Sequence, residues 1–192
     1  MGNELAPSGA LRPMLPADPP GPGVYIATGP SGLPSWFLHA LCPALGRGAR
    51  VFWIDAGNCF DAYGASYAAR QLGLDPRPVL SRVRLARPFN AFQLETIVRS
   101  KVPPLWRGEP IVLSDPLPML YDEDLPEPEA RRLAFGVLSA MKALPAVWLV
   151  LAVDREAPAG RRGWLAEWTR EAAACAGLRR AGDRSWLERE AA

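Results

Sequence analysis

Short apolar runs alternate with stretches of helical periodicity along most of this chain. Val24-Tyr25-Ile26-Ala27-Thr28 is a β-branched and aromatic run that breaks at Gly29-Pro30-Ser31-Gly32, and it reads as a buried strand. Over residues 33–45, Trp36, Phe37, Ala40 and Leu41 recur at helical spacing, and Gly46 and Gly48 end the segment. Residues 50–55 read as a second buried strand closing on an acid, Asp55. A helix is predicted over 63–72, stopped by Gly73, followed by a period-two strand over 82–86 and a helix over 91–100. Residues 110–115 are again a continuous apolar run that closes on an acid, Asp115. The longest predicted helix covers 128–144, with Glu129 in its first turn and Lys142 near its end, both favourable to the helix dipole. Residues 146–153 form the strongest strand signal, followed by a helix near 164–176. Two alternating pieces around Leu178 and Trp186 read as a closing hairpin over Gly182-Asp183.

Strands without polar alternation that are separated by helices predict a mainly parallel sheet covered on both faces, an α/β fold. Residues 1–22 carry six prolines and no periodicity, so they are expected to be a flexible arm ahead of one core domain over 23–192. The Pro-rich, acidic block 116–128 is expected to be a surface loop.

Composition narrows the functional classes. The chain has 192 residues, 49% apolar and 22% charged, as expected of one soluble domain with a substantial core. A net charge of +2 gives no global field that would by itself call for nucleic acid. Cys42, Cys59 and Cys175 are widely spaced, and His39 is the single histidine, so no metal site is expected. The start Met1-Gly2-Asn3-Glu4 has neither a basic nor an apolar stretch, and no apolar run reaches the ~20 residues of a membrane helix. The expectation is a cytoplasmic protein with free thiols.

The candidate chemistry lies where a doubly wound sheet binds ligands, at the carboxyl ends of its strands. The loop from Gly29 to Trp36 sits between the first strand and its helix, the place of a phosphate-binding loop of pattern G-x-x-x-x-G-K-[ST]. Gly29 fits the first glycine and Gly32 lies inside the loop. Pro34 stands at the second glycine, Ser35 at the lysine and Trp36 at the magnesium-binding hydroxyl. Proline has no N–H for a phosphate oxygen, serine has no positive charge, and tryptophan cannot ligate magnesium. ATP binding in the usual way is therefore not expected. An unusual anion site built from helix amides and Ser35 remains the alternative. Asp115 reads either as the magnesium-side aspartate of a Walker B strand or as a strand-end residue capping a turn with Pro116.

From about Gly23 to Val153 the chain resembles the RecA/RadA recombinase family in its ATPase core. The resemblance is carried by Val51-Phe52-Trp53-Ile54-Asp55 with Phe60, by Gln71-Leu72-Gly73-Leu74-Asp75-Pro76 with Val79-Leu80, and by Arg82-Val83-Arg84-Leu85-Ala86-Arg87-Pro88-Phe89-Asn90. It implies a RecA-like P-loop fold of three layers, α/β/α. It also implies a catalytic glutamate two residues after the second strand's acid, where Gly57 stands, and a polar sensing pair after the last core strand, where Asp154-Arg155 stands. The family's Phe-x-x-Ala assembly motif has no counterpart in residues 1–22, because Phe37-Leu38-His39-Ala40 falls in the first helix.

The resemblance therefore implies a non-catalytic paralogue, an accessory or mediator in DNA repair or homologous recombination. Its expected partners are a recombinase or repair protein, another copy of itself, or single-stranded DNA. The loop that contacts DNA in recombinases corresponds to residues 158–163, which makes Arg161, Arg162 and Trp164 candidate contacts; the alternative is an ordinary arginine-containing surface loop. Trp106, Trp164 and Trp168 beside Arg107, Arg161, Arg162 and Arg170 read either as a stacking surface or as packing with solvated arginines. A second reading is a regulator resembling the SulA/ImuA group, acting by protein contact in the SOS response, division arrest or translesion synthesis. A third is an active ATPase that borrows its missing groups from a neighbouring subunit.

Overall fold

The structure, a computed structural model, describes residues 21–181 and 184–189. Seven strands form one sheet: β1 (Gly23–Gly29), β2 (Val51–Asp55), β3 (Val83–Ala86), β4 (Ile111–Ser114), β5 (Val147–Val153), β6 (Ala174–Ala181) and β7 (Arg184–Arg189), in the order β3-β2-β4-β5-β1-β6-β7. The first six run parallel, and β7 turns back antiparallel on β6. The expected hairpin is there, with Ala181 opposite Arg184; its two turn residues, Gly182 and Asp183, lie outside the described residues, as does the expected arm up to residue 20.

Period-two geometry divides each central strand between two cores. Val24, Ile26, Phe52, Ile54, Ile111, Leu113, Trp148 and Val150 point to one face. There they meet α4 (Ala91–Thr96), α7 (Glu127–Ala143) and α8 (Trp164–Glu171). Tyr25, Ala27, Val51, Trp53, Val112, Leu149 and Leu151 point to the other, against α1 (Leu33–Gly46), α2 (Ala62–Gln71) and α3 (Pro76–Ser81). Burial on both sides is why the strands read as continuous apolar runs.

Several expectations change on contact with tertiary structure. The helix over 164–176 ends at Glu171, and Ala174, Cys175 and Ala176 join β6 instead, in register with Tyr25, Ile26 and Ala27. Pairing along β1 outweighs the helical preference of alanine. The block 116–128 is not wholly surface: α6 (Leu117–Leu120) forms a single turn, and Leu117, Leu120 and Tyr121 are buried. The helix expected over 91–100 runs further. α4 passes through a π turn at Ile97–Lys101 into α5 (Val102–Leu105), which accommodates Pro103 and Pro104 at its start. β3 lacks clean alternation because it is an edge strand, paired to β2 alone among the described residues. No helix among the described residues is long and apolar enough to cross a membrane.

Candidate functional site

Register brings the carboxyl ends of β2, β4, β5 and β1 to one edge. Asp55 is level with Ser114, Ser114 with Leu151, and Leu151 with Ala27. Asp115, one residue beyond β4, follows directly, and its amide donates to Leu151 O at 2.7 Å. The amide of Asp154 donates to Gly29 O at 2.7 Å, which ties the end of β5 to the start of the phosphate-loop region.

That region is shorter than the sequence pattern implies. α1 already begins at Leu33, so the loop between β1 and α1 is only Pro30, Ser31 and Gly32. Leu33 N donates to Pro30 O at 2.8 Å and closes it as a turn. Gly32 is right-handed, at φ −76° and ψ −6°, so this loop does not need its freedom as a glycine. Leu33 and Pro34 are buried in the core, and Trp36 is half-buried against it. Of the first-turn groups that would face a phosphate, Leu33 N is already used and Pro34 has no N–H, leaving the half-buried Ser35.

Asp55 is fully buried, with 0% exposure, and saturated with partners. Oδ1 accepts from Cys59 N at 2.8 Å and from Ser114 Oγ at 3.2 Å. Oδ2 accepts from Phe60 N at 3.2 Å and from Arg87 Nε at 3.0 Å, with Arg87 Nη2 at 2.8 Å. Ser114 Oγ in turn accepts from Trp53 Nε1 at 2.9 Å. Cys59 Sγ donates to Asp55 Oδ1 at 3.4 Å, and burial pushes its thiol up to about 12, so it is an unreactive thiol at neutral pH.

Asp115 is built differently. It is a non-glycine residue in the left-handed region, at φ 46°, a conformation that costs about 1 kcal/mol and clusters at functional positions. Val153 N donates to Oδ1 at 3.4 Å, and the Arg155 guanidinium forms a short ion pair with Oδ2. Burial pushes the Asp115 carboxyl above its ordinary range, and Arg155 only partly offsets this. Gly57, at the position of the expected catalytic glutamate, lies against Asp115: a Cβ there would be 2.6 Å from the aspartate's own Cβ. Its amide and that of Ala56 both donate to Ser114 O at 3.0 Å.

The candidate nucleic-acid contacts separate. Arg161, expected at the surface, is only 4% exposed, and its guanidinium donates to the carbonyls of Leu120, Asp122 and Leu125. Trp164 is also buried, its ring tilted at 58° to that of Tyr121 with centroids 6.3 Å apart, and lying under the Arg161 guanidinium at 5.9 Å. Both are corrected to packing residues, because the turn at 116–126 offers carbonyls that a solvated arginine would forgo. Arg162 is exposed. Trp168 is buried, and Trp106 is partly buried against the core, with Nε1 donating to Glu109 O at 2.7 Å. The surface around this loop is acidic, with Asp122, Glu123, Asp124, Glu127, Asp154 and Glu156 all exposed.

Sequence reasoning named Gly29, Gly32, Ser35, Gly57 and Asp115 but not the arginines that close the site. Arg87 comes from 32 residues away and Arg155 from 40. The one signal was Arg155 at the position of the expected sensing pair.

No protein-family model matches the chain, and no curated protein matches it. Among solved structures it is similar to the crystal structure of the RadB recombinase, at 17% identity and a TM-score of 0.62, over 89% of this chain and 83% of that one. At that identity the likeness is one of fold, and the fold is RecA-like: an α/β architecture with a six-strand parallel array flanked by helices.

Proposed function

We propose that this chain is a non-catalytic RecA-like protein, an accessory factor in recombination or DNA repair that works by binding rather than by turnover. The observation that carries this reading is the Arg155 guanidinium on Asp115. In a working site that aspartate faces a magnesium ion and its phosphates, and here a fixed side-chain cation takes the same charge. The surrounding residues do not fit a magnesium–nucleotide either. The loop is a three-residue turn, Pro34 and Trp36 replace the groups that hold phosphate and metal, and Gly57 has no room for a longer side chain. Likeness to a recombinase supports the recombination context, and the Asp115 strain supports a site inherited from a ligand-binding ancestor.

The test is equilibrium binding of a fluorescent ATP analogue with and without magnesium, together with a phosphate-release assay. Neither binding nor turnover is expected. Turnover that disappears in Asp115→Ala would overturn the reading and favour the borrowed-residue ATPase. The second reading, a SulA/ImuA-like regulator acting by protein contact alone, is favoured by the exposed carboxylates around 122–127 and 154–156, which repel a nucleic-acid backbone. Affinity purification with nuclease treatment separates the two. A recombinase or repair protein retained after nuclease supports the first, and a division or polymerase-type protein supports the second.

A further inference from the structure

We infer that the cleft between α7 and α8 binds a small carboxylate with an apolar body, one molecule per chain. This site shares no residue with the Asp115 site and does not depend on the accessory role proposed above. The cleft encloses about 420 Å³, toward the lower end of the range of small-molecule sites.

Helical spacing builds its walls. Phe135, Leu138, Ser139 and Lys142 follow one another along a single face of α7, and Glu167, Arg170 and Glu171 do the same on α8. Leu138 is buried in the core. Phe135 is half-buried beneath the Arg131 guanidinium, which lies 4.9 Å from its ring centre. These two side chains give the cleft an apolar floor. Two ion pairs cross from helix to helix, Arg131 to Glu167 at 3.4 Å and Lys142 to Glu171 at 2.5 Å. Along α7 they stand on either side of Phe135, Leu138 and Ser139, roughly 16 Å apart at the helical rise per residue.

That bracketing selects the kind of occupant. A helix or strand of another protein enters a groove at one end and leaves at the other, and here it would displace both pairs. A compact molecule resting on Phe135 and Leu138 leaves them in place. Charge selects its head group. Lys142 and, to a smaller extent, Arg170 hold the Glu171 carboxyl below its ordinary range, so both cations stand close to it. Lys142 is the one in ion-pair contact; Arg170 is exposed and has no carboxylate within salt-bridge distance among the described residues. With Arg131 and Lys142 matched to Glu167 and Glu171, Arg170 leaves the cleft one positive charge in excess. A single carboxylate balances it, whereas a dianionic phosphate would bring a surplus charge against Glu167 and Glu171. The planar guanidinium and the Ser139 hydroxyl supply the donors that a carboxylate accepts.

The test is isothermal titration calorimetry of the full chain with octanoate and hydrocinnamate at low salt, with octanol and octyl phosphate as neutral and dianionic controls. One carboxylate per chain is expected, its affinity falling about 10- to 100-fold in Arg170→Gln. Ser139→Trp, which fills the cleft, should abolish binding. Both positions are exposed, so both variants should unfold at the wild-type temperature without ligand, and octanoate should raise that temperature most in wild type. Octanol or octyl phosphate binding as tightly as octanoate would overturn the carboxylate assignment, as would an octanoate affinity unchanged by Arg170→Gln. Absence of saturable binding by either carboxylate would overturn the site. Retention of a protein partner that Ser139→Trp abolishes, with no carboxylate bound, would overturn it in favour of a protein interface.

Discussion

Two aspartates end neighbouring strands of the same sheet edge, and the protein treats them in opposite ways. Asp55 lies on relaxed strand backbone, with every lone pair directed at a donor and Arg87 closing the set. Asp115 is forced into a left-handed conformation, with one long amide contact and one arginine. Complete satisfaction marks Asp55 as a keystone of the fold, on which two loops are organised. Incomplete satisfaction plus backbone strain marks Asp115 as a position whose geometry serves something other than stability. The contrast separates a carboxylate that the fold depends on from one that it leaves strained and under-satisfied.

The sharpest way to break this comparison is Arg87→Ala. It leaves a fully buried carboxylate without its counter-charge, and a loss of about 3 kcal/mol is expected in denaturant unfolding. A loss below about 1 kcal/mol would mean that the amides alone hold Asp55, and the distinction between the two sites would fall. Gly57→Ala comes next, at about 2 kcal/mol, because its Cβ meets that of Asp115 and both are held by backbone. Gly57→Glu should destabilise more than alanine, and no ATP turnover is expected of it.

Arg155→Ala should cost about 1 kcal/mol, because burial already favours the protonated form of Asp115, so the carboxyl left behind can shed its charge. The smallest effect, and the one with a distinctive sign, is Asp115→Asn. Burial holds the carboxyl above its ordinary range, so ionised Asp115 costs the folded state more than the unfolded one. Wild-type stability therefore declines as pH rises from the unfolded carboxylate range through the raised folded value. Asparagine tolerates the left-handed backbone and does not titrate. The variant should equal or exceed wild type at neutral pH, and its advantage should shrink on acidification. A variant that is less stable at neutral pH would show Arg155 outweighing burial.

The strands ending in these acids were legible in the sequence because both faces of the sheet are covered, which leaves uninterrupted apolar runs. The helices were legible from periodicity, except where pairing to β1 took Ala174–Ala176 into a strand and where Asp75-Pro76 capped the short α3. Pro34, Ser35 and Trp36 were legible as residue types that depart from the phosphate-loop pattern, but the shortness of the loop was not. What local pattern could not supply was the partner of each acid. Arg87 and Arg155 meet their aspartates only through the strand order, and an arginine in Arg161-Arg162 carries no local mark of which one is buried. The exposed rings of Tyr63 and Phe89 were hidden for the same reason, because Tyr and Phe are core residues by default.

The Arg161 clamp bears on regulation. A nucleotide switch needs a segment with two arrangements of similar free energy, one of which the ligand selects. Here a buried guanidinium ties three carbonyls of the 116–126 segment to the loop after β5, and Trp164 packs beneath it. The chain's own bonds favour one arrangement, and any switch built on this loop would first have to break three hydrogen bonds from a buried guanidinium.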